Sequence, residues 1–163
     1  MKITIANLKH SASLSEETHA YTATILVDGV RAFTGSNHGT GGPDMYHPIP
    51  GYKGPDERAI DAWLKDNTPK IEGHGMTIDN CLEIVVGDLI NDVLRAKALK
   101  RLLSTKIIVM QQEKGEDALF TYKGKPTPEN LAMMRRHIAD GKIKGQLVNG
   151  ADDFVMDKAL LLV

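Results

Sequence analysis

The sequence predicts an α+β protein: an antiparallel sheet built from an N-terminal hairpin plus a second hairpin, packed on a long central helix and two or three shorter helices. Three observations predict it. The first third alternates with period two around an Asp-Gly pair, and the middle carries a long apolar repeat at three- and four-residue steps. The strand-like runs are also grouped rather than interleaved with helices, which favours α+β over a doubly wound sheet.

Taken along the chain, "AYTATILV" places Tyr21, Ala23, Ile25 and Val27 on one face, and "VRAF" follows Asp28-Gly29. Both turn positions of a two-residue hairpin need positive φ, which Asp-Gly supplies. Residues 20 to 27 and 30 to 35 therefore read as a hairpin, with 2 to 8 as a third strand. "GPDERAIDAWLKDN" reads as a helix with Pro55 at its first position, acidic residues in the first turn, and Ile60, Trp63 and Leu64 facing inward. The longest helix is expected from about Asp79 to Leu103, with Ile78, Leu82, Val85, Leu89, Val93 and Ala96 as its stripe and Val86, Ile90 and Leu94 widening it. "KIIVM" and "ALFTY" form the second hairpin. "PTPENLAMMRRHIADGK" is a helix with Thr127 as cap, Pro128 first and Gly141 past its end. "GQLV" is a short strand, Asn149-Gly150 a turn, and "ADDFVMDKALLLV" a helix more than a strand. The chain reads as one domain, or one domain built as two lobes, 1–67 and 77–163, joined by a connector at 68–76.

Composition excludes several classes. With 163 residues, 42% of them hydrophobic and 5% aromatic, the chain holds enough aliphatic material for a core. A formal net charge of −1 argues against a nucleic-acid coat and against an acidic mimic of DNA, so nucleic-acid binding is not favoured. The single cysteine, Cys81, has no partner in the chain, and a reducing cytoplasmic compartment is the expectation. "MKITIANLKH" lacks the apolar core of a signal peptide, and no run approaches a membrane span.

The segment "TGSNHGTGGPDMYHPIPGYKGP", residues 34 to 55, concentrates six of the fifteen glycines, four of the seven prolines and two of the six histidines. Glycines permit turns that aim backbone N–H groups inward, whereas prolines stiffen the path. A connection of this length in a compact domain is usually functional. The candidate ligand-binding residues are Asn37, His38, Gly39, Gly41, Gly42, Asp44, Tyr46 and His47: amides that converge on an anion, ringed by polar side chains. No P-loop and no dinucleotide fingerprint is present, and no cofactor is expected.

The stretch "AFTGSNHGTGG" followed by "DMYHP" resembles small uncharacterised proteins of bacteria and their phages, whose loop reads roughly S-N-x-G-x-G-G with a tyrosine a few residues on. Ser36, Asn37, Gly39, Gly41, Gly42 and Tyr46 carry the resemblance here. It covers the first third well, residues 98 to 150 more loosely, and "ADDFVMDKALLLV" not at all. It implies a prokaryotic or phage origin and no activity, so no catalytic residue is carried over.

Other chemistry is weaker. His10, His19, His38, His47 and His74 cluster early in the chain without the close pairs that metal sites show, so no metal is expected. His10 and His19 read as exposed strand positions. Ser36, His38 and Asp44 have the chemistry of a triad but sit on one segment. Cys81 aligns with the buried stripe and reads as inert core. Arg95, Lys97, Lys100 and Arg101 form a basic patch at a helix end, where cations suit the dipole. Of Met133 and Met134, at most one is buried. The sequence thus points to a small cytosolic non-catalytic accessory protein that recognises a partner protein or a small anionic, nucleotide-like ligand through loop 34–55. The alternative is a His/Asp hydrolase, metal-dependent or not, using the same loop. Sheet edges and the final "ALLLV" lean towards a homodimer.

Overall fold

The structure, a computed structural model, describes residues 1–73 and 75–163. The chain is mixed α+β: the described residues form four α-helices, one of them long, and antiparallel sheets. Two compact units divide it, Met1–Asn91 and Asp92–Val163.

The first unit opens with β1 (Ile3–His10), a 3-10 turn at Ala12–Leu14, β2 (Ala20–Val27), β3 (Val30–His38) and β4 (Met45–Pro48), which form one antiparallel sheet in the order β1-β2-β3-β4. Asp28 and Gly29 turn the β2–β3 hairpin with φ of 50° and 82°, the left-handed pair that the dipeptide predicts. Tyr21, Ala23, Ile25 and Val27 alternate onto one buried face, where Phe33 joins them. Gly35 sits between Ile25 and Tyr46, and a Cβ there would lie 3.1 Å from Ile25 and 3.2 Å from Tyr46.

Two stretches of the Gly/Pro segment are strand, which corrects its reading as one continuous loop. Residues 34 to 38 extend β3, and Met45–Pro48 pairs back on it as β4, with Gly35 opposite Tyr46 and Thr34 opposite His47. The reason lies in Pro48 and Pro50, which push the residues before them into extended backbone. Helix α1 (Glu57–Asn67) follows, capped by the Asp56 carboxylate, which accepts from Ala59 N at 2.9 Å. Pro55 precedes that cap rather than opening the helix, because the capping side chain takes the last non-helical position. Ile60 and Leu64 are buried.

The segment expected as a bare connector carries β5 (Ile71–Gly73) and β6 (Met76–Ile78), an antiparallel pair, and the boundary between units falls instead inside α2 (Leu82–Thr105). The long helix therefore starts three residues later than its apolar spacing suggests, since Ile78 belongs to β6 and is exposed. Its first backbone donor is met from α1: Leu82 N donates to Asp61 Oδ1 at 2.7 Å. Leu82, Val86 and Ile90 are the buried line of these turns, and Val85 and Leu89 are half-buried beside it. Cys81 is half-buried just before the helix, and its carbonyl accepts from Val85 N, so it is not the core residue its alignment implies.

In the second unit β7 (Ile107–Glu113) lies between β8 (Glu116–Tyr122) and β9 (Gln146–Leu147). The two hairpins thus belong to separate sheets rather than to one. Ile107 and Val109 face Met134 of α3 (Pro128–Ala139), with Leu131 and Ile138 around them. Ile108 and Met110 face the other way, onto Leu99 of α2 and Val155 and Ala159 of α4 (Asp153–Leu160). Met133 is exposed beside buried Met134. Thr127 caps α3 and Asp152 caps α4, each through its side-chain oxygen. Asn149 does more than turn the chain. Its Oδ1 accepts from Ile108 N at 2.7 Å, and its Nδ2 donates to Leu103 O and Lys106 O at the end of α2.

Among the described residues no helix is long and apolar enough to cross a membrane.

Candidate functional site: the end of the first sheet

Asn37 organises the segment after β3. It is buried, and every polar atom of its amide is used. Oδ1 accepts from Gly39 N at 2.8 Å and from Thr18 Oγ1 at 2.9 Å, while Nδ2 donates to Gly42 O at 2.8 Å and Asp44 Oδ1 at 2.9 Å. A short amide side chain that folds back on its own backbone holds the glycine turn in one shape.

Gly39 ties this turn to the segment before β2. Its carbonyl accepts from Glu16, Glu17 and Thr18 N. Its φ is +88°, and a Cβ would fall 2.1 Å from Leu14 O, a backbone atom that cannot step aside. Gly41, at φ +83°, would meet only the end of the Glu17 side chain, and a Cβ on Gly42 meets nothing within 4 Å. The amide of Gly41 faces Thr18 Oγ1 at 3.4 Å. The amides of Gly39 and Gly41 thus serve the loop's own architecture.

Asp44 is held by three donors. The hydroxyls of Tyr21 and Tyr46 both donate to Oδ2, at 2.5 and 2.7 Å, and Asn37 takes Oδ1. Burial first, and then the neighbouring carboxylate, push the Tyr21 phenol well above the usual tyrosine range. Tyr46 moves the same way, through burial first, then its neighbour Tyr21 and the Asp44 carboxylate. Asn37, Tyr21 and Tyr46 share one face of the sheet, so alternation sends His38 and His47 to the opposite face. On that face His47 stands opposite Thr34, four residues along β3 from His38, roughly 13 Å at strand rise. Asp44 and the two histidines therefore do not converge, nor do Ser36, His38 and Asp44.

His38 faces a cleft instead. Its volume is about 280 Å³, and it opens where β1, the 3-10 turn, β2 and β3 end together. Lys9, Ala20, Thr22 and His38 share the sheet face that lines it, with Ser11 and Leu14 from the turn. Leu14 is 60% exposed and Ala20 buried, so its floor is apolar. Among the described residues, the nitrogen-bearing side chains that can carry positive charge on its lining are Lys9, His10 and His38, and no carboxylate lines it. Asn37 reaches the same cleft.

His10 and His19 are half-buried and meet edge to face at 5.2 Å between ring centroids, not exposed as the strand pattern implies. His19 Nε2 donates to Asn91 Oδ1 at 2.9 Å, and its Nδ1 lies 3.3 Å from His10 Nε2. Ser15 Oγ lies 3.3 Å from the same His10 nitrogen. That hydroxyl already donates to Ser11 O and accepts from Ala20 N, so it is a structural link and not a nucleophile primed by a base. His74 lies outside the described residues. Among the described residues no three His, Cys, Asp or Glu side chains are grouped to hold a metal ion.

The basic patch divides. At about 100° per residue, Lys97, Lys100 and Arg101 share one side of α2, whereas Arg95 sits about 200° round from Lys97. Arg95 lines a separate hollow with Asp92 and Asp157, where acidic neighbours offset it.

Lys9, Ser11, Leu14, Ala20, Tyr21 and Thr22 are the cleft residues that the sequence pattern did not mark as a site. The one available signal was Leu14, a lone apolar residue within "SASLSEE". No family model, no curated protein and no solved structure matches this chain.

Proposed function

We propose that this is a non-catalytic binding protein whose cleft at the end of the first sheet takes a small organic anion with an apolar body. The observation that carries the reading is the character of the lining: an apolar floor of Leu14 and Ala20, bounded by Lys9, His10 and His38 and free of carboxylates. Apolar enclosure with a few placed charges is the usual make-up of a small-molecule site. The Gly/Pro segment contributes Asn37 and His38 directly. Asn37 also holds the turn together with Gly39, and Asp44 and Tyr46 lock it to the sheet. In the prokaryotic or phage setting that the loop resemblance implies, such a protein is cytosolic and accessory, acting on a host process by capturing its ligand.

Calorimetric titration with adenosine monophosphate, hexanoate and inorganic phosphate tests this. The two organic anions are expected to bind saturably and more tightly than phosphate, and Lys9→Glu to weaken them at least about tenfold. Absence of saturable binding by either organic anion, or affinities that ignore Lys9→Glu, overturns the reading.

A further inference from the structure

Most sheet edges in this molecule are blunted. β1 carries a register shift between Ala6 and Lys9 with Asn7 at φ 54°, a bulge that twists the edge away. β4 is four residues long and ends in Pro48, which has no N–H to offer. β9 is two residues long. β8 differs: it is the end strand of its sheet, seven residues long, in unbroken register with β7 and free of proline.

The direction of its backbone groups follows from the ladder. Ile108 O accepts from Val148 N and Ile108 N donates to Asn149, so the even-numbered residues of β7 bond towards β9. The odd ones bond towards β8, where they meet Tyr122, Phe120, Ala118 and Glu116. The N–H and C=O groups of Asp117, Leu119 and Thr121 then point outward, where no further strand among the described residues pairs with β8. Ala118, Leu119 and Phe120 at its centre are half-buried.

We infer that β8 pairs antiparallel with β8 of a second copy of this chain, about a twofold axis at Phe120. The charge pattern selects both the occupant and the register. Acidic Glu116 and Asp117 lie at one end of the strand, and basic Lys123 and Lys125 follow the other. A twofold at Phe120 sets Asp117 opposite the partner's Lys123, and does so twice. It sets Leu119 against the partner's Thr121, and Phe120 against the partner's Phe120 at a position without ladder hydrogen bonds, where side chains come closest. Lys114 and Lys125 face uncharged residues in this register. The Asp117 carboxylate is only loosely engaged within its own chain, 3.9 Å from Lys158 Nζ.

Sedimentation equilibrium of the full chain, over a concentration series reaching the millimolar range, is the test. A reversible dimer is expected. Thr121→Pro removes an outward N–H and leaves the β7–β8 ladder intact, and it is expected to weaken the dimer at least about tenfold. Asp117→Lys is expected to weaken it as well, and the double variant Asp117→Lys with Lys123→Asp to restore it. A chain that stays monomeric throughout overturns the inference. So does a dimer indifferent to both single variants, or a charge swap that fails to restore association in a variant whose circular dichroism is unchanged.

Discussion

The Tyr21 hydroxyl donates to Asp44 Oδ2 at 2.5 Å, across 23 residues of sequence, and Tyr46 donates to the same oxygen. This clamp joins β2 to the end of the Gly/Pro turn, and its protonation state follows from its burial. Both phenols are held protonated beyond their ordinary range. The unfolded chain releases those protons at about pH 10, so above that pH it binds fewer protons than the folded chain and stability falls as pH rises. Below it the contribution is fully present. Absorbance at the tyrosinate band should therefore show Tyr21 and Tyr46 ionising together with unfolding in alkali, and not before. Asp44→Asn should cost about 1–3 kcal/mol and bring that transition to lower pH.

The three glycines of the turn should respond differently to alanine. Gly39→Ala combines positive φ with a clash on Leu14 O and should cost at least about 2 kcal/mol in urea unfolding. Gly42→Ala has open space and ordinary φ and should be neutral within about 0.5 kcal/mol. Gly41→Ala should fall between them, since its only close neighbour is the end of a flexible glutamate.

Asn149 joins the end of α2 to β7 through three hydrogen bonds from a buried amide. Asn149→Ala leaves Ile108 N and two helix-end carbonyls without that partner. It should cost about 2–3 kcal/mol, read as earlier amide exchange at Ile108 and a lower urea midpoint.

Elements with local signals were legible in the sequence. The Asp28-Gly29 hairpin and α3 between Thr127 and Gly141 depend on turn and cap chemistry written within a few residues. The Gly/Pro segment was visible as unusual, yet its division into strand, turn and strand was not. β4 gains its hydrogen bonds from β3, and its prolines read as loop signals until that partner is known. The site was partly legible. Asn37 and His38 stood out by composition, but the clamp on Asp44 and the pairing of His10 with His19 arise only when the strands come side by side. Lys9 carried no pattern of its own, and Leu14 showed only as a large apolar residue within "SASLSEE". The basic patch was overcounted because adjacency in sequence is not adjacency on a helix, as Arg95 and Lys97 demonstrate.

In the proposed mode of binding, an organic anion enters the cleft between Lys9, Leu14 and His38. Amide chemical-shift mapping of the full chain, titrated with adenosine monophosphate, measures it directly. Saturable shifts centred on Lys9, Ser11, Leu14, Thr22 and His38 are expected, all reduced in Lys9→Glu. Shifts confined to Lys97, Lys100 and Arg101, or none at saturating ligand, would contradict it.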